Sequence, residues 1–142
     1  MGDEWGVEAM YELGGRHARL EAEGDLEGTL ATLVAEPVYE FFPMGWKMTG
    51  RERVVRYYEH LFAHFIPRTR GYRLLEEWVN ETSVAQEYEI DVEVDGGGVE
   101  SHRVLGVLCA EGNLLGGERI YASERCARLM AGDELIDEIA GV

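Results

Sequence analysis

Acidic side chains alternate with apolar ones along one stretch of the chain, and a histidine follows a short distance later. Glu87, Glu89 and Asp91 are spaced two residues apart, and His102 lies beyond a glycine-rich segment at 96–98. Carboxylates beside a histidine in an apolar pocket suit general acid and base catalysis, because burial and like charge bring carboxyl pKa values toward neutrality. We therefore take Glu87, Glu89, Asp91 and His102 as the candidate catalytic residues.

A glycine pair sets the expected geometry of these groups. Gly96 and Gly97 favour a two-residue hairpin turn, in which facing residues have numbers that sum to 193, and this places Asp91 opposite His102. The two-residue period of a strand then puts Glu87, Glu89, Asp91, His102, Val104 and Leu108 on one face of the sheet. A three-residue turn at 112–114 would add Glu118 to the same face.

The opposite face of the same strand supports a different interpretation. It carries Tyr88, Ile90, Val92 and Val94. Amphipathic reasoning points this apolar face at the helices and leaves the acids in water. The catalytic interpretation instead needs the apolar face to be covered, which a homodimer formed through the sheet would do. The next strand is apolar on both faces, which favours two-sided burial and so the dimer.

The elements that must position these residues follow from periodicity and from turn signals. Helical spacing predicts a helix over 5–22, a short one capped by Asp25 and stopped by Pro37, and a third that opens with a capping box at 49–52 and ends at Pro67. Gly14 and Gly15 weaken the first helix, so another element is expected to pack against them. Strands are expected at 38–42, 72–79, 84–94, 100–110 and 114–123, with a loop at 43–48, a closing helix at 123–130 and a solvated acidic tail at 133–138.

Helices followed by a meander are typical of an α+β fold in which helices cover one face of a sheet. A twisted sheet that curls around one long helix leaves an opening at its wide end, where a small ligand can enter. No repeat or linker divides the chain, so we expect a single domain over 1–142.

Composition excludes several classes of partner. The 28 acidic residues outnumber the 13 basic ones, and the formal charge of −15 makes nucleic acid and anionic membranes unfavourable partners. The acidic N-terminus has no secretory pattern, so a cytoplasmic location is expected. Cys109 and Cys126 are expected to be reduced. His60 and His64 have the spacing of a paired metal site, but no third ligand is evident, and no metal is expected.

Several short segments together resemble a known superfamily. They are Gly24-Asp25-Leu26-Glu27, Tyr39-Glu40, Gly50-Arg51-Glu52, Tyr57-Tyr58 and Glu118-Arg119-Ile120-Tyr121. In this order and spacing they resemble the superfamily of nuclear transport factor two, nearest to the SnoaL-like polyketide cyclases, ketosteroid isomerases and limonene epoxide hydrolases, over residues 8 to 131. The resemblance implies a cone-shaped, barrel-like curved sheet of mixed or antiparallel strands around a long helix, with a pocket for a small molecule and no cofactor.

Two chemistries implied by the resemblance do not carry over residue by residue. The tyrosine and two aspartates of the ketosteroid isomerases match His17, Phe42 and Gly106. Phenylalanine cannot accept a proton, so that mechanism is not expected.

The epoxide hydrolases use an aspartate, arginine, aspartate relay with a tyrosine and an asparagine. These match Glu89, Glu87 and Ile120, with Tyr39 and Phe41, so one acid and the tyrosine remain. The relay as that family builds it is therefore broken.

The expected function is general acid and base catalysis of cyclase, isomerase, dehydratase or hydrolase type on a small apolar oxygenated molecule. The alternatives are a non-catalytic binding or dimerisation module and an epoxide hydrolase with a rearranged relay. The expected substrate-binding residues are Tyr39, Trp46, Tyr58, Leu61, Phe65 and Glu118.

Overall fold

The computed structural model describes residues 4–141, in which helices and strands alternate along the chain. The α-helices within this range are α1 (Val7–Ala22), α2 (Leu26–Ala31), α3 (Arg51–His60), α4 (Glu124–Ala131) and α5 (Asp133–Ala140). A π-helical turn, Leu61–Phe65, and a 3₁₀ turn, Ile66–Arg68, extend α3. The strands are β1 (Leu33–Phe42), β2 (Trp46–Thr49), β3 (Thr69–Val79), β4 (Ser83–Glu93), β5 (Val99–Glu111) and β6 (Leu114–Tyr121).

The six strands form one mixed sheet in the order β2-β1-β6-β5-β4-β3. β1 and β6 run parallel, and the other neighbours are antiparallel. The sheet is open, with β2 and β3 at its edges, and α1 and α3 pack on the same side of it. The predicted α+β class with a mixed sheet wrapped around helices is therefore confirmed.

The glycine pair in α1 lies where the helix touches the sheet. A Cβ on Gly14 would come within 2.9 Å of Val84 Cγ2, whereas the same atom on Gly15 would meet nothing. Met10 and Leu13 are buried beside this contact. The prediction that an element packs against the weak part of the first helix is confirmed, and close approach explains the glycine at position 14.

The second helix begins as predicted but ends early. The Asp25 carboxylate accepts a hydrogen bond from the Gly28 amide at 2.8 Å, which is the expected N-cap. The chain then enters β1 at Leu33, and Pro37 lies inside the strand instead of ending a helix. A strand tolerates this proline because the pairing of β1 with β6 is interrupted between Leu33 and Val38.

Two further predictions about helices were wrong. The capping box does not form, because Thr49 pairs with Val38 in the sheet and Gly50, at φ 97°, caps α3 without a side-chain hydrogen bond. The stretch predicted as a solvated tail is α5, in which Leu135 and Ile136 are buried. Its acids occur as the pairs 133–134 and 137–138, a helical spacing that leaves one face of α5 apolar. The predicted loop at 43–48 also contains the start of β2.

No helix among residues 4–141 is both long enough and apolar enough to cross a membrane.

Candidate functional site

The hairpin between β4 and β5 has a longer turn than the glycine pair suggested. Val94 and Gly98 close it, with the Val94 amide donating to the Gly98 carbonyl at 2.8 Å, so three residues form the turn. Facing residues therefore sum to 192, and Asp91 lies opposite Ser101 while His102 lies opposite Ile90. The predicted pairing of Asp91 with His102 is wrong, since a shift of one residue turns a side chain to the other face of a sheet.

The carboxylates of Glu87, Glu89 and Asp91 point away from the helices. They form an ion-pair network on the outer face with Arg73 and Arg103. Arg73 reaches Glu89 at 3.1 Å and Asp91 at 3.3 Å, and Arg103 reaches Glu87 at 2.8 Å and Glu89 at 3.1 Å. Their predicted place in a catalytic pocket is corrected, because the apolar side chains between them face the helices instead.

Hydrogen bonds on this face keep the acids ionised. Donation first from Arg103 and then from Arg73 lowers the pKa of Glu89. Donation from Ser101 and then Arg73 lowers the pKa of Asp91. A proton donor near neutral pH needs a raised carboxyl pKa, so this network lacks the property for which these residues were chosen.

His102 is on the inner face of the sheet but belongs to a separate cluster. Its Nε2 lies 3.0 Å from Glu100 Oε1, and Glu100 also pairs with Arg125 at 3.1 Å. It is not among the residues that line the large cavity. The expected cooperation of His102 with Asp91 is therefore not present.

A cavity of about 540 Å³ lies between α1, the π-helical turn and the sheet. Its wall is mostly apolar and includes Leu61, Phe65, Ile66, Ile90, Leu108 and Met130. Ala22 and Tyr72 line it and are also exposed, which places them at the mouth. Such a volume is the size usual for small-molecule sites.

Glu118 is the carboxyl group that the sheet contributes to the described wall of this cavity. It stands opposite Leu108 on β5, the face on which it was expected, although a β-bulge after Cys109 achieves this in place of a three-residue turn. No side chain or amide among residues 4–141 hydrogen bonds to its carboxyl group. Burial, and then the charge of Glu21, raise the pKa of Glu118 well above its ordinary value.

His17 and Glu21 bring α1 into the same cavity. They are four residues apart and therefore share one helical face, with His17 Nε2 3.3 Å from Glu21 Oε2. His17 is 2 % exposed.

A chain of buried hydrogen bonds runs through His17. The Thr32 hydroxyl donates to the Thr29 carbonyl at 2.6 Å, so its oxygen must accept from His17 Nδ1 at 2.7 Å. In neutral His17 the Nε2 atom is then the acceptor, and the Tyr58 hydroxyl donates to it at 3.1 Å. Tyr39 in turn donates to Tyr58 at 2.5 Å. For neutral His17, this network assigns the tautomer and the direction of both tyrosine hydroxyls.

The predicted substrate-binding residues are divided between the cavity and its surroundings. Leu61, Phe65 and Glu118 line it. Tyr39 and Tyr58 are fully buried beside it, and their ring centroids are 5.8 Å apart. Trp46 lies elsewhere, at the start of β2 under the Arg128 guanidinium, so its place in the pocket is corrected. That these side chains bind a substrate stays a prediction.

Sequence reasoning missed Glu21 as a cavity residue and considered His17 only as a substituted tyrosine. The helical pattern contained the signal, because Met10, Leu13, His17 and Glu21 follow one face of α1. Tyr72 and Tyr88 were also missed as cavity residues, since the catalytic interpretation points Tyr88 away from the helices. The alternative amphipathic interpretation, which points Tyr88 and Ile90 at the helices, agrees with the structure.

His60 and His64, which have the spacing of a paired metal site, lie next to each other on the helix that follows β2. Their rings are 4.9 Å apart, and His60 Nε2 lies 3.2 Å from the Leu129 carbonyl, to which it donates. Among residues 4–141 no group of three or more His, Cys, Asp or Glu side chains is arranged to hold a metal ion.

Comparisons of sequence give no relatives. No protein-family model matches the chain, and no curated protein matches it.

Many solved structures, in contrast, are similar to this one in fold. An NTF2-like protein of unknown function from Mesorhizobium loti is 18% identical, with a TM-score of 0.68, 87% of this chain covered and 97% of the other. A putative ketosteroid isomerase from Kribbella flavida is 15% identical at a TM-score of 0.67, with 83% of this chain and 80% of the other covered. A third similar structure is a hypothetical protein from Catenulispora acidiphila with a ketosteroid isomerase-like fold, in complex with trimethylamine. It is 16% identical at a TM-score of 0.64, with 85% of this chain and 92% of the other covered. The sheet order, the enclosed cavity and these similarities together show that this chain has the NTF2-like fold.

Proposed function

We propose that this protein binds a small, largely apolar oxygenated molecule in the cavity and moves a proton to or from it through Glu118, without a cofactor. The observation that carries the proposal is a carboxyl group in an apolar cavity that has no hydrogen-bond partner among residues 4–141. Its pKa is raised, so it can hold a proton at a pH at which an exposed glutamate has lost it. A substrate oxygen would supply the missing partner.

The chemistry that such a group supports is proton transfer next to an oxygen. Glu118 in its protonated form donates to a carbonyl or leaving hydroxyl, and in its ionised form it accepts a proton from carbon. Cyclase, isomerase, dehydratase and hydrolase reactions all contain such a step. The Tyr39–Tyr58–His17 chain holds the neighbouring wall in one hydrogen-bonded arrangement.

A substrate search with matched variants tests the proposal. The wild-type protein, Glu118→Gln and the outer-face variant Glu89→Gln would be incubated with steroid, terpenoid and polyketide compounds, and products followed by mass spectrometry. We expect turnover by the wild type and by Glu89→Gln, and a loss of about 100-fold or more in Glu118→Gln. Full turnover by Glu118→Gln would overturn the role of Glu118.

The second candidate is a binding module without catalysis. It is favoured by the complex of the Catenulispora protein with trimethylamine, a small molecule held by a protein of the same fold. Thermal stabilisation by compounds from the same collection, with no product formed by any of them, would support binding alone.

An epoxide hydrolase with a rearranged relay lacks support. The positions that match its relay, Glu87 and Glu89, lie on the outer face with Arg73 and Arg103. Neither residue lines the cavity.

The homodimer through the sheet stays a prediction. The dimer was expected because it would cover the apolar face of the sheet. Helices cover that face instead, and the outer face carries the ion-pair network. Sedimentation at micromolar concentration would test it.

A further inference from the structure

We propose that the ligand of this cavity carries a cationic nitrogen on its apolar body, received by Glu21, Glu118 and the rings of Tyr72 and Tyr88. The inference rests on the proposed function, because it assigns a substrate class to the same cavity.

The charges that line the cavity are mostly negative. Glu118 has no hydrogen-bonding partner within residues 4–141, and the Glu21 carboxylate reaches only His17 there, at 3.3 Å. Arg19 also lines the cavity, but it is exposed, so water screens its charge. Two acids therefore face an apolar space in which His17 is the enclosed base of the described wall. His17 is already held by Thr32 and Tyr58, so a cation would supply the counter-charge that the two acids lack.

The field of these two acids reaches several elements. Beside the larger effect of burial, the charge of Glu118 raises the pKa of Tyr39 on β1 and of Tyr88 on β4. The charge of Glu21 raises the pKa of Tyr72 on β3. The whole chain, these two acids included, carries a formal net charge of −15. The negative potential around the cavity opposes an anionic ligand and favours a cationic one.

An aromatic surface lies next to the acids. The rings of Tyr72 and Tyr88 both line the cavity, with centroids 5.2 Å apart, and Phe65 lies on the facing wall. Aromatic faces attract ammonium groups, and they do so more strongly where water is displaced. The cavity thus offers an apolar volume for a carbon skeleton and an acidic, aromatic part for a cation.

Proton linkage distinguishes this ligand from a neutral one. A cation favours the ionised form of Glu118, so its binding should release a proton and strengthen as the pH rises. A neutral ligand that accepts a hydrogen bond from the protonated carboxyl should weaken as the pH rises. The other charged or titratable groups around Glu118 are His17, Arg19 and Glu21 from α1, Tyr39 from β1, Tyr57 and Tyr58 from α3, Tyr72 from β3 and Tyr88 from β4.

Choline and 3,3-dimethyl-1-butanol form a probe pair of one shape that differs in charge. Binding to the full chain would be measured by titration calorimetry at about pH 6 and pH 8, in two buffers of different ionisation enthalpy. We expect choline to bind about tenfold more tightly than the alcohol and to bind more tightly at the higher pH with proton release. Glu118→Gln should lose most of this preference, and Glu89→Gln should keep it.

A second variant separates the two acids and guards against misfolding. Glu21→Gln should also reduce the preference for choline, and circular dichroism would establish that each variant is folded.

Equal or tighter binding of the alcohol would overturn the inference and leave the proposed function standing, since that rests on turnover through Glu118. Failure of both probes to bind would also overturn it. Loss of the proposed function would appear separately, as unchanged turnover in Glu118→Gln.

Discussion

Gly106 leaves open the space that the Glu118 carboxylate occupies: a Cβ at position 106 would lie 2.6 Å from Glu118 Oε2. The two residues project into the cavity from neighbouring strands, β5 and β6. The position at which the resemblance expects an acid is therefore empty, and an acid from the next strand extends toward it.

Gly106→Ala tests this relationship. The added methyl group would displace the end of a flexible side chain and not backbone, so we expect the fold to persist and the position of the carboxyl to change. Binding of choline, or turnover once a substrate is found, should fall by about tenfold, since a small misplacement of a catalytic group is costly. Gly98→Ala, where a Cβ makes only ordinary contact at 3.9 Å, is the control and should match the wild type.

Glu118 should also make stability depend on pH. Because its pKa is higher in the folded protein than in the unfolded chain, the unfolded chain ionises first as the pH rises, and stability falls from the ordinary carboxyl range upward. Glu118→Gln removes this penalty. Urea unfolding should show the variant to be the more stable protein at about pH 8, with the gain shrinking toward zero near about pH 4. A gain of the same size at both pH values would contradict the assignment.

The order and type of most elements could be predicted from the sequence, whereas only part of the cavity wall could, namely Leu61, Phe65 and Glu118. Strand periods and turn glycines locate β3 to β6, because each signal is local. The apolar side chains of β4 decide which of its faces is inward, as the amphipathic interpretation expects. The turn near Gly96 decides which residues of β5 share a face with Glu87, Glu89 and Asp91, and its third residue places Arg103 instead of His102 beside these acids.

The predicted three-residue turn at 112–114 places Glu118 opposite Leu108, but a β-bulge produces this pairing in the structure. The predicted longer turn and the observed β-bulge after Cys109 produce the same pairing with Leu108. A bulge leaves no clear pattern in one sequence, since it inserts an ordinary residue into a strand. The meeting of Glu21 with Glu118 depends on how α1 crosses the sheet, which no local pattern encodes.

Tyr58→Phe should destabilise the protein, because it leaves the Tyr39 hydroxyl and His17 Nε2 without their buried partner. We expect a loss of roughly 1–3 kcal/mol in the free energy of unfolding. Tyr57→Phe is the matched control, because the Tyr57 hydroxyl forms no hydrogen bond with the described residues. Denaturant unfolding of both variants would measure the difference, and equal losses would argue against the chain of hydrogen bonds.

The glycine pair of α1 provides a test of helix packing. Gly15→Ala should stabilise the protein by about 0.5–1 kcal/mol, since an exposed helical glycine is replaced where a Cβ meets nothing. Gly14→Ala should lose roughly 1–3 kcal/mol, because its Cβ would press on Val84 at 2.9 Å. Thermal unfolding would compare them. Stabilisation by both substitutions would contradict the close contact between Gly14 of α1 and Val84 of β4.

The ionisation of Glu118 is the property on which the proposed chemistry depends, and a ¹³C NMR titration of protein labelled at the glutamate carboxyl carbons measures it directly. The Glu118 resonance is assigned by its absence from the spectrum of Glu118→Gln. We expect it to titrate well above the ordinary range near about 4.3, and to shift downward when choline is added. Titration within or below that ordinary range would contradict the account.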